Sequence, residues 1–240
     1  MNGEEFYVGY LPKAPAGLRI LIRRTAVILI GAGAALALIL TFAQQPFADS
    51  HFEFGINRTY DGVLELQPYP VLLQGGSRFL LVAPGKDGAT ELAAGLDRRT
   101  VKLTGSLIYR DQDRMLEILP GSMQLQSPVS APPRPTEDLG EVTLDGEIVD
   151  SKCYLGVMNP GNGKVHRDCA SRCISGGIPP AFAVRGEGGE RRFLLLAGSD
   201  GRPLNREILD YVAEPVRIHG RLFRSGSLKV LRTEPKDFQR

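Results

Sequence analysis

All three cysteines of the chain, Cys153, Cys169 and Cys173, fall in one stretch together with His166, one of its three histidines. From Asp150 to Pro180 that stretch reads DSKCYLGVMNPGNGKVHRDCASRCISGGIPP. Pro160, Gly161 and Gly163 mark a loop, and Gly176 with Gly177 marks a helix stop. Between them, residues 164–175 contain no breaker, and this predicts a helix of about three turns. On such a helix His166, Cys169 and Cys173 stand at i, i+3 and i+7, on one face. Cys153 reaches them from a strand end across the Gly/Pro loop. Three thiolates and one imidazole brought together are a recognised ligand set for a tetrahedral metal centre.

Thiolates favour zinc, Cu(I) or an iron–sulfur cluster. A c-type haem is disfavoured because no C-x-x-C-H occurs. Met158 lies close enough in sequence to be an auxiliary ligand, although loop packing is its ordinary role. Two other chemistries compete. In an oxidising compartment a disulfide is the ordinary fate of paired cysteines. Cys169 and Cys173 pair poorly if helical, since Cβ atoms at i and i+4 stand about 5–6 Å apart and a disulfide wants about 3.8 Å. Cys153 could bridge to either, which leaves an odd thiol. Thiol redox chemistry is the third reading. A Cys–His nucleophile lacks an orienting third group in the sequence. The residues alone leave metal, disulfide and redox readings open.

Val149-Asp150-Ser151-Lys152-Cys153, then His166-x-x-Cys169-Ala170-x-x-Cys173, then Gly176-Gly177-Ile178-Pro179 resembles a largely uncharacterised family of small exported bacterial OB-like modules with the pattern (V/I)DSKC…CA…C…G. The resemblance covers about residues 141–233 and implies export and an OB-like fold more than an activity. The chain departs from the simple pattern in carrying an anchor and a cysteine-free first copy.

The elements that must position these residues come as two similar halves. Residues 78–83 read RFLLVA and residues 192–197 read RFLLLA, an offset of 114. Residues 101–107 (VKLTGSL) match residues 216–222 (VRIHGRL) at an offset of 115, and Asp61-Gly62-Val63-Leu64 echoes Asp145-Gly146-Glu147-Ile148. Gly62 precedes Phe79 by 17 residues and Gly146 precedes Phe193 by 47, so the second half carries about 30 more, as 47 − 17 gives. The Cys/His stretch, residues 151–180, is that excess. Short helical patterns at 90–96 and 205–212 interrupt each series of strands. Several short strands with one helix predict two small β-barrels of the OB kind, residues 55–126 and 141–233. The proline-rich residues 127–140 link them.

Upstream, residues 25–43 (TAVILIGAGAALALILTFA) carry no charge and nearly cover a hydrocarbon core of about 30 Å. Thr41 and Ala43 loosely imitate a cleavage site, but the apolar run is longer than in a signal peptide, which favours an uncleaved anchor. Arg19, Arg23 and Arg24 precede the run and none of residues 44–54 is Lys or Arg. The positive-inside rule then places residues 1–24 in the cytoplasm and both barrels in the periplasm or outside the cell, on a single-pass inner-membrane anchor. The head segment FYVGYLP, residues 6–12, predicts an interfacial aromatic belt or a docking site for a membrane partner.

The net charge of +2 arises entirely in residues 1–24, where Lys13, Arg19, Arg23 and Arg24 face Glu4 and Glu5. A balanced remainder without Trp argues against nucleic acid as a partner. Asn57-Arg58-Thr59 is a sequon of meaning only in a glycosylating host. His219 aligns with Thr104 and reads as a strand position. No phosphate loop, paired-carboxylate signature or serine-nucleophile motif occurs, so the expectation is a non-catalytic accessory or ligand-binding protein of a membrane or exported complex. The alternative is a metal-binding or thiol-redox protein acting through Cys153, His166, Cys169 and Cys173.

Overall fold

The computed structural model describes residues 15–43, 50–127, 131–132, 135–185 and 191–240. The aromatic head, residues 44–49 and part of the proline-rich linker lie outside the described residues.

Residues 1–46 and 47–240 form two compact units. In the first, helix α1 (Ala16–Ala43) is long and apolar enough to cross a membrane, and none of its residues is buried. It begins before the expected residue 25. Leu18, Ile20, Leu21 and Ile22 extend the apolar character between the arginines, and arginine stems can run along such a surface with their heads in water.

The second unit is mainly β and contains two barrels. In the first, β1 (Ser50–Glu65), β2 (Val71–Gln74), β3 (Ser77–Val82), β4 (Thr100–Arg110) and β5 (Asp113–Ile118) follow the order β1-β2-β3-β5-β4, and β4 closes onto β1. Strand β6 (Gln124–Ser127) adds to β4. In the second, β7 (Glu137–Asp150), β8 (Pro180–Arg185), β9 (Arg191–Gly198), β10 (Pro215–Ser225) and β11 (Leu228–Thr233) follow the same order, β10 closes onto β7, and β12 (Phe238–Gln239) adds to β10. In each barrel the third and fifth strands pair in parallel and the other pairings are antiparallel, which is the OB-like arrangement. The RFLLVA and RFLLLA runs supply β3 and β9, and the 101–107 and 216–222 runs lie in β4 and β10.

Three expectations need adjustment. Residues 90–96 form successive turns and not a helix, closed by Gly95 at φ 75°; a segment this short cannot offset the cost of nucleation. The counterpart in the second barrel is a 3-10 helix, Arg206–Tyr211. Residues 137–140, read as linker, belong to β7, where Glu137 and Asp138 pair with Arg224 and Arg221 of β10. A run of surface charge hid that strand.

Strands β3 and β9 are apolar at every central position because both of their faces are covered. Phe79 and Leu81 face the interior of the first barrel with Leu64, Leu103 and Leu116, while Leu194 and Leu196 face that of the second with Ile148, Ile218 and Leu231. The alternate residues Leu80, Val82, Phe193, Leu195 and Ala197 meet in a third cluster between the barrels, joined by Val71, Leu73, Ile108 and Met115. Cys153, Tyr154, Leu155 and Cys173 belong to this shared cluster. Across it the Leu204 backbone N–H donates to Tyr69 Oη at 2.9 Å.

Candidate metal centre

The extra residues of the second barrel lie between β7 and β8. They open with a helical turn, Cys153–Val157, pass through Asn159–Gly163, and continue as a 3-10 turn, Lys164–His166, leading into helix α2 (Arg167–Ser175). The expected helix over 164–175 is therefore tightened in its first turn. Ala170 and Ile174 of α2 pack into the core of the second barrel, whereas Cys173 turns toward the shared cluster. At Gly161 a side chain would place its Cβ 2.4 Å from the Cys153 carbonyl oxygen, so glycine is what lets the loop lie against the strand end.

This folding brings the predicted residues together. The ligand atoms of Cys153, His166 and Cys169 lie within 4.8 Å of one another, and so do those of Asp150, Cys153 and Cys173. Cys153 is common to both groups. Bonds of about 2.3 Å around a tetrahedral centre would set sulfurs about 3.8 Å apart. Cys153, Cys173 and His166 are buried and Cys169 is partly so. All three cysteines are free thiols. Met158, by contrast, is 46 % exposed, and His219 sits in β10 with Nδ1 3.1 Å from Thr143 Oγ1, away from the cysteines in the fold.

Three charged residues that spacing did not single out complete the arrangement. Asp150 is fully buried; Oδ1 accepts the Cys153 backbone N–H at 2.8 Å and Oδ2 lies 3.1 Å from His166 Nε2. Lys152 is also buried, and its Nζ donates to the carbonyl oxygens of Ala83 and Gly85 at 2.9 and 2.8 Å and pairs with Glu117 at 2.5 Å, all on the first barrel. Lys86, on the β3–β4 loop of the first barrel, donates from Nζ to Cys169 Sγ at 2.9 Å and lies 3.7 Å from Cys173 Sγ. Asp150 and Lys152 could have been suspected as the charged neighbours of Cys153 in the DSKC run. Nothing in the sequence points to Lys86.

The electrostatics follow from these contacts. A hydrogen bond between Cys153 and Cys173 pushes the Cys153 thiol up and holds Cys173 below the usual thiol range, with burial reinforcing the first effect and opposing the second. The ammonium of Lys86 also favours a Cys173 thiolate, and its hydrogen bond to Cys169 raises its own pKa.

No family model, curated protein or solved structure matches the chain.

Proposed function

We propose that this is a membrane-anchored, outward-facing metal-binding protein that holds one soft ion at Cys153, His166, Cys169 and Cys173. The observation that carries this reading is the pair of overlapping ligand triplets centred on Cys153. Cys153, from the turn after β7, and His166, Cys169 and Cys173, from the 164–175 segment, fall in two triplets that share Cys153, and thiolates with imidazole suit zinc or copper. A single ion fits better than an iron–sulfur cluster, which ordinarily takes four thiolates where this chain offers three. Asp150, bonded to His166 Nε2, orients the ring and leaves Nδ1 as the ligating nitrogen, in the manner of a carboxylate behind a metal-bound histidine. In the cell the barrels belong on the periplasmic side of the inner membrane, a placement supported by the three arginines at the start of α1. The site then makes the protein an accessory factor that keeps or passes an ion beside a membrane complex. The DSKC resemblance supports the same export.

The test is metal content. The full chain in detergent, reduced, loaded and dialysed, should retain one ion per chain, and Cys153→Ser should abolish retention. Fewer than about 0.1 ion per chain with all thiols reduced would sink the reading, because structural sites of this donor set bind tightly.

The closeness of Cys153 and Cys173, whose sulfurs lie within 4.8 Å of each other, favours a second reading, thiol redox chemistry. Closing that pair to a disulfide would release two protons and two electrons to an added oxidant such as diamide. Mass loss at those two cysteines under mild oxidation, in protein that retains no metal, would select it.

A further inference from the structure

We infer that Lys86 determines which ionic charge the thiol site accepts and biases it toward a monovalent soft ion of the Cu(I) class. The inference rests on the metal-binding reading above. Lys86 is exposed, yet its backbone is pinned from both sides. Lys152 holds the carbonyls of Ala83 and Gly85, and the Gly88 N–H donates to the Gly176 carbonyl at 2.9 Å. Gly176 lies so close that a side chain there would place its Cβ 2.1 Å from the Lys86 carbonyl oxygen. The first barrel is thereby fitted against the C-terminal end of α2, and the ammonium is delivered to Cys169.

An ion bonded to Cys169 sits about 2.3 Å from its sulfur. With Nζ 2.9 Å from the same sulfur, ion and ammonium are at most about 5 Å apart. Their repulsion scales with the charge of the ion. At 5 Å and the dielectric of water it weakens a monovalent ion about fourfold and a divalent ion about sixteenfold, and a lower local dielectric enlarges both. Seen from the complex, three thiolates around a monovalent ion leave more uncompensated negative charge than around a divalent one, and the ammonium offsets more of it. Lys152 does not contribute to this bias, because Glu117 cancels its charge at 2.5 Å.

The test uses the reduced full chain in detergent with Cu(I) or Zn(II) alone, each competed against a chromophoric chelator. Removing the charge with Lys86→Met should lower the Cu(I)-over-Zn(II) ratio about fourfold, since the loss of support for the thiolates is common to both ions and cancels in the ratio. Lys86→Arg keeps the charge and should keep the ratio. Raising salt from 0.1 to 1 M shortens the screening length from about 10 to about 3 Å, and should lower the ratio for the wild type but not for Lys86→Met. A ratio unchanged in Lys86→Met, whether both affinities hold or both weaken together, overturns the inference while leaving the metal site standing. Failure of the wild type to bind either ion overturns the metal-binding reading itself, and the inference with it.

Discussion

In the first barrel the chain passes from the first strand to the second through residues 66–70; in the second barrel the equivalent passage takes residues 151–179 and contains every cysteine of the chain. The short connection contributes Tyr69, which plugs the shared cluster and accepts a hydrogen bond from the other barrel. The long one contributes a polar constellation that no small barrel could bury alone. It is buried because a second barrel lies over it. The undecorated copy is therefore not idle. Through residues 83–88 and Glu117 it supplies the carbonyls and carboxylate that hold Lys152 and the ammonium that meets Cys169. One scaffold carries the cysteines and His166, and its twin covers them and adds Lys86.

The most severe way to break this comparison is to remove the fastening. Lys152→Met should cost about 3 kcal/mol in chemical denaturation, because it strands a partly buried Glu117 and two carbonyls. A loss under about 1 kcal/mol would mean that the insertion does not fasten the barrels. Next come the packing residues. Leu80→Ala, between the barrels, should cost about 2–4 kcal/mol, as much as Leu81→Ala inside the first barrel, if the shared cluster is true core. Both variants should unfold in a single transition. If Leu80→Ala is mild while Leu81→Ala is severe, the barrels touch without cohering.

How far the site was legible in the sequence bears on the third test. The cysteine and histidine spacing predicted which side chains gather, because a helix imposes its period on neighbours in sequence. The OB-like class of both barrels was legible from their short strands and matching runs, although the strand order was not. Nor was Lys86, since its role depends on a barrel-to-barrel contact that leaves no local pattern. Asp150 stands in the DSKC run, but its contact with His166 depends on how the loop folds back. The solid apolar runs of β3 and β9 did carry the interface signal, in the lost alternation that a strand covered on both faces shows. Asp150→Asn should keep the fold and lower metal affinity about 10–100-fold, the usual cost of losing the carboxylate behind a ligating histidine. Unchanged affinity, measured by chelator competition, would mean that Asp150 serves the backbone of Cys153 only.

The smallest effect sharpens the contrast at the hairpins that face each other across the barrels. Asp113, opening β5, is pushed up to about 7 by burial and then by Asp111, with Lys229 of the second barrel opposing. Folding thus favours its protonated form. Its contribution is fully favourable below its unfolded pKa of about 4, and is lost as pH rises through about 7. Asp113→Asn should leave stability unchanged at pH 4 and raise it by about 1–2 kcal/mol at pH 8, read from urea midpoints. A gain equal at both pH values would rule out the titration as its cause.

The double-sided burial of β3 and β9 has a consequence for the linker. Peptide-bond cleavage within residues 128–134 need not release anything, because the adhesion between the halves is lateral and does not run through the connecting chain. The nicked molecule should behave as a split protein, two polypeptides migrating as one particle until denaturant parts them. Once parted, each half would present a bare wall of Leu, Val and Phe, the kind of surface that seeds aggregation. Reassembly of separately expressed halves would then depend on their meeting each other before each meets its own kind.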